Sequence, residues 1–107
     1  MNEIEKEICR VVDVVIECCA TNNENAISIT KEEILGKSKK ENANFARTML
    51  AHFLHKDGFS VTTLAFMFNR SQQSVRNLIV SHDAYIKQSN AYRIANEQVK
   101  NKLNESK

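Results

Sequence analysis

Between Gly58 and Val80 the chain carries two helix-start signals on either side of a polar turn, and that double punctuation restricts the segment to a pair of short helices. Ser60 is suited to cap a first helix that places Val61, Leu64, Ala65 and Phe68 on one face. Ser71 can cap a second helix after Asn69-Arg70. In that second helix Val75, Leu78 and Ile79 recur at helical spacing and turn inward, so Gln72, Gln73, Ser74, Arg76 and Asn77 project outward. The pattern is that of a helix-turn-helix. Its outward types suit base edges in duplex DNA: Gln and Asn can pair bidentately with adenine, Arg with guanine, and Ser with groove edges or phosphate.

The rest of the sequence predicts an all-α fold of five or six helices. Proline is absent and there are only two glycines, Gly36 and Gly58, each where a helical pattern ends. With 107 residues, 42% of them hydrophobic, the chain has room for one domain with a modest core. From Ile4, the residues Ile8, Val11, Val12, Val15, Ile16 and Cys19 follow helical spacing, giving an acidic amphipathic helix over 1–20. A short extended piece, Ala26 to Ile29, leads to Thr30-Lys31-Glu32-Glu33, which matches a capping box and opens a short helix ending at Gly36. After the basic loop Lys37 to Asn42, a third helix carries Phe45, Met49, Phe53 and Leu54 on one face, so 30–57 reads as helix, basic loop, helix. Beyond 58–80, Ser81-His82-Asp83 and Ile86 to Ser89 interrupt the pattern, and a terminal helix is expected over 84–104.

Charge is unevenly divided. Residues 1–33 hold three basic side chains against eight acidic, a net of −5, while 34–107 hold twelve against five, a net of +7. A basic half can face phosphate while the acidic helix faces away; the plainer alternative is a solvated surface. No apolar run approaches the ~20 residues of a membrane span, and the acidic start lacks a signal peptide's basic region, so a cytoplasmic protein is expected, associated with the nucleoid if it binds DNA. Cys9, Cys18 and Cys19 have no partner at metal-ligand spacing and read as reduced, mostly buried thiols. His52, His55 and His82 come with no activated nucleophile or carboxylate at useful spacing, so neither enzyme activity nor a metal or cofactor is expected. Tyr85 and Tyr92 sit among Ile86, Ile94 and Ala95 and read as packing of the last helix rather than base-stacking groups.

From Glu33 to Val80 the chain resembles the C-terminal DNA-binding domain of the bacterial replication initiator DnaA, a member of the Trp-repressor-like helix-turn-helix group. Glu33 to Lys39 lies over the family's short helix and basic loop, and Ala46-Arg47-Thr48 over its Ala-Arg-Gln. Arg70-Ser71-Gln72-Gln73-Ser74-Val75 lies over its Arg-Asp-His-Thr-Thr-Val signature, with Arg, the second small hydroxyl and Val retained. Ser71-Gln72 replaces Asp-His, and the turn is one residue shorter. The resemblance implies that residues 71–77 enter the major groove, that Lys37, Lys39 or Lys40 reaches backbone or an adjacent minor groove, and that Arg47 binds phosphate.

Two functional classes follow. The first is non-catalytic binding of double-stranded DNA through Lys37, Lys39, Lys40, Arg47, Arg70, Ser71, Gln72, Gln73, Ser74, Arg76 and Asn77, as in a transcriptional regulator or accessory replication factor. The alternative is a protein-protein interaction module that retains a DNA-binding fold, docking on a replication or regulatory protein. The stripe on the first helix either caps the core or pairs two subunits into a homodimer, in which case the preferred DNA site is a pseudo-palindrome.

Overall fold

The computed structural model describes residues 3–22, 31–35 and 41–105; the described residues form an all-α domain without strands. The helices are α1 (Glu3–Asn22), α2 (Lys31–Leu35), α3 (Glu41–Lys56), α4 (Val61–Phe68), α5 (Gln72–Gln88) and α6 (Asn90–Glu105). The extended piece expected at 26–29, the capping residue Thr30, Gly36 and the lysines of the basic loop lie outside the described residues.

The core forms around α3, which touches α1, α2, α4 and α5. Phe45, Met49, Phe53 and Leu54 are all buried, as the sequence predicts, but so are Ala43, Ala46, Leu50 and Ala51 on the remaining sides. Arg47 and Thr48 are buried as well, so α3 is the central helix, and its alanines let neighbours approach closely. On α1, Val11, Val12, Val15, Cys18 and Cys19 are buried against this core, while Glu3, Lys6, Asp13 and Glu17 face outward. The stripe therefore caps the core of its own chain. Lys102 of α6 pairs with Glu17 of α1, and the Arg10 guanidinium, held by Glu7 at 2.7 Å, reaches the Leu103 carbonyl. Burial and the neighbouring Cys18 push the Cys19 thiol up to about 12, and burial raises Cys18 as well, so neither is a ready thiolate at neutral pH.

A ring cluster joins α3, α5 and α6. Phe45 meets Tyr85 and Tyr92 edge-on at 5.7 and 5.0 Å, and the two tyrosines stack at 4.8 Å. His82 hydrogen-bonds through Nδ1 to the Tyr92 hydroxyl at 2.7 Å and stacks on His52 with ring centroids 3.5 Å apart. Tyr85 and Tyr92 thus pack, as expected. His82, only 7% exposed, is a core residue with a hydrogen-bond partner.

This cluster also corrects the helix boundary. Ser81-His82-Asp83 does not interrupt α5, because the tertiary packing of His82 and Tyr85 outweighs the modest helix propensities of Ser, His and Asp. The break falls at Ser89, where the Ser89 backbone N–H returns to the Tyr85 carbonyl and the Ser89 hydroxyl accepts from the Tyr92 N–H. Arg93 then donates to the Ile86 carbonyl, satisfying the open end of α5. The terminal helix consequently begins at Asn90 rather than at 84.

Burial holds the imidazoles of His52 and His82 below the usual histidine range, His52 down to about 4; the charge of His82 adds to the effect on His52, and Lys56 adds to it at both. Asp83 opposes the shift at both. A depressed histidine pKa means that the unfolded chain binds more protons, so this stabilisation is complete above about pH 6.5 and is lost as pH falls toward 4. Urea midpoints measured from pH 7 to pH 4.5 should fall, and His52→Phe, which keeps a flat ring against His82 but cannot titrate, should fall by less. Parallel curves for the two proteins would show that the His52 proton is not involved.

Candidate nucleic-acid interface

The chain reaches α4 through a turn in which Gly58 adopts φ +108°, a conformation that disfavours side chains, while the Gly58 and Phe59 N–H groups satisfy the last carbonyls of α3. Ser60 then caps α4, its hydroxyl accepting from the Thr63 N–H at 3.2 Å. Asn69 ends α4 in the left-handed conformation, φ 52° and ψ 48°, one of the few non-glycine residues suited to it. The Arg70 N–H reaches back to the Ala65 carbonyl at 2.9 Å. Two residues past Asn69, Ser71 caps α5 by accepting from the Ser74 N–H at 3.1 Å. Both caps predicted from the sequence are formed, and the turn between the helices is only Asn69, Arg70 and Ser71.

Each helix buries the face its spacing predicts. Leu64, Ala65 and Phe68 of α4 and Val75 and Leu78 of α5 are buried, with Val61 and Ile79 half-buried against the same core. Rotation of α5 is thereby fixed, and Gln72, Gln73, Arg76 and Asn77 are exposed together on its outer side. They are linked along the helix: Gln73 Nε2 donates to Asn77 Oδ1 at 3.1 Å, and Arg76 Nη2 to Gln72 Oε1 at 3.4 Å. No acidic residue occupies the first turn of α5, so nothing there offsets the partial positive charge of the helix start. Arg70 is half-buried at the turn, where it lines an open groove with Ala65, Phe66, Asn69, Ser71 and Gln72.

The structure does not bring all the predicted residues to this face. Ser71 and Ser74 are engaged with each other, the Ser71 hydroxyl also donating to Ser74 Oγ at 3.1 Å, and Ser74 is half-buried. Their atoms serve the cap first. Arg47 departs further: only 2% exposed, it donates from Nε to the Ile34 carbonyl at 2.7 Å, satisfying one of the end carbonyls of α2. Burial, with the nearby charge of Arg70, pulls its guanidinium down to about 10. Arg47 is therefore a brace between α2 and α3, not a phosphate contact, because phosphate needs a guanidinium that solvent can reach. Lys37, Lys39 and Lys40 lie outside the described residues.

Phe66 on α4, a core candidate from the sequence with exposure as the alternative, is 89% exposed, and Val80 on α5, to which sequence reasoning gave no role, is 70% exposed. Val80 lies at i+8 from Gln72 and i+4 from Arg76, a register that identifies its face once the inward set of α5 is known. A separate cavity of about 210 Å³, lined by α1, α3 and α6 residues including Arg10, Phe53, Lys56 and Leu103, lies apart from this face. Among the described residues no group of three or more His, Cys, Asp and Glu is arranged to hold a metal ion, and no helix is long and apolar enough to cross a membrane. No protein-family model, curated protein or solved structure matches the chain.

Replacing Arg47 with Ala should destabilise the fold by about 1–3 kcal/mol, since it leaves the buried Ile34 carbonyl without this donor. A urea titration measures this directly, and an unchanged midpoint would return Arg47 to a surface role.

Proposed function

We propose that this chain binds double-stranded DNA non-catalytically, placing the start and outer face of α5 in the major groove as a helix-turn-helix of the kind found in the C-terminal domain of DnaA. The reading rests chiefly on one observation: Gln72, Gln73, Arg76 and Asn77 share an exposed helix face whose other side is anchored in the core. These are side chains able to read adenine and guanine edges, and an α-helix fits the width of the major groove. Their mutual hydrogen bonds keep the long side chains extended along the helix, and a base edge can replace each partner. In this reading Arg70, half-buried at the turn, would add a contact to DNA, and contacts to the phosphate backbone supply affinity with little sequence information. A transcriptional regulator or an accessory replication factor would use such a unit, and the cytoplasm or nucleoid is the compartment it implies.

The exposed Phe66 beside the groove favours a second reading, in which the same two helices dock on a protein partner. The two readings differ in what Arg76 does. Under the DNA reading, Arg76→Ala should weaken binding to the preferred duplex by about 1–3 kcal/mol and weaken binding to unrelated duplexes by less. Competition titrations with both duplexes make the comparison. Equal losses on all sequences would reject base readout by Arg76, and recovery of a stoichiometric, nuclease-insensitive protein partner by a chain that binds no duplex would favour docking.

A further inference from the structure

Four apolar side chains follow the first turn of α5 before His82, and three of them, Val75, Leu78 and Ile79, pack on the core. Val80 does not. It is 70% exposed on the line that runs through Gln72 and Arg76 at successive intervals of four residues. A single exposed apolar residue is ordinary on a protein surface. Val80 differs in its register, because it continues the polar face that the DNA reading uses.

We infer that Val80 is the thymine-reading residue of α5, its two methyl groups packing on the C5-methyl of a thymine in the major groove. The inference rests on the DNA reading and extends it to a further kind of base. Thymine is the natural base that presents a methyl group in that groove, and small apolar side chains are what recognise it. Val80 lies about 6 Å beyond Arg76 along the helix axis, which is one to two base-pair steps of about 3.4 Å. The thymine is accordingly expected within two base pairs of the guanine that Arg76 reads. A helix whose outer face carries glutamine, arginine, asparagine and then valine would prefer a short run of mixed composition, with one position set by a methyl group and not by a hydrogen bond. Val80 bonds to no neighbour and supports no core contact, so it can be changed without disturbing the fold.

Uracil supplies the test, because it pairs as thymine does and lacks only the methyl group. On the duplex preferred by the full-length chain, each thymine is replaced in turn by deoxyuridine and affinity is measured by fluorescence anisotropy for the unaltered protein and for Val80→Ala. One position near the Arg76 guanine should lose three- to tenfold in affinity on methyl removal. Val80→Ala should lose a similar factor on the thymine duplex and discriminate little between thymine and uracil at that position. Tight, sequence-selective binding with no uracil-sensitive position, or with the same sensitivity in Val80→Ala, would overturn the role of Val80 and leave the DNA reading standing. Failure of the unaltered chain to bind any duplex would overturn both. Urea midpoints of the two proteins should agree, and a large difference would mean that Val80 supports the fold and is not a free reading group.

Discussion

The outer surface of this protein depends on the burial of α3. Because α3 is buried on nearly every side, its enclosure commits α1, α2, α4 and α5 to fixed contact faces. Whatever lies on the opposite side of each neighbour is then presented outward without further choice. On α5 that is the line of Gln72, Arg76 and Val80 with Gln73 and Asn77 beside it. Two polar contacts prevent the enclosing helices from slipping. Arg47 closes the end of α2 onto α3, and the Tyr92 hydroxyl meets His82 within the ring cluster. Buried polar groups in such pairs specify one arrangement more strongly than they stabilise it, since any shift leaves them unsatisfied.

Geometry at the α4–α5 turn follows from local chemistry. Ser60 and Ser71 begin the two helices, Asn69 reverses the chain in a left-handed conformation, and the three-residue turn keeps the start of α5 close to the end of α4. Under the proposed DNA reading, these caps and core anchors would hold the side chains of α5 in register with the base pairs.

Much of this was legible in the sequence because it depends on near neighbours. Hydroxyls at positions 60 and 71, the spacing of Val75 and Leu78 and the stripe on α1 all act over one or two helical turns. The surroundings of Arg47 and His82 were not legible, for the opposite reason. Arg47 is buried by a carbonyl 13 residues away, and His82 by rings on α3 and α6, so nothing near either residue in the chain reveals its environment. The same ring contacts carry α5 through Ser81-His82-Asp83, where local propensity alone would end it. Val80 was passed over although its outward register follows from the inward set Val75, Leu78 and Ile79.

The proposed function requires that the preformed outer face of α5 bind the major groove of duplex DNA. The most direct measurement is fluorescence anisotropy of the full chain with a pool of randomised duplexes at about 50 and 200 mM salt, the range over which phosphate-driven binding falls steeply. Binding that is clear at the lower salt and falls by an order of magnitude or more at the higher is the predicted result. No binding at the lower salt, with the chain folded, would contradict it.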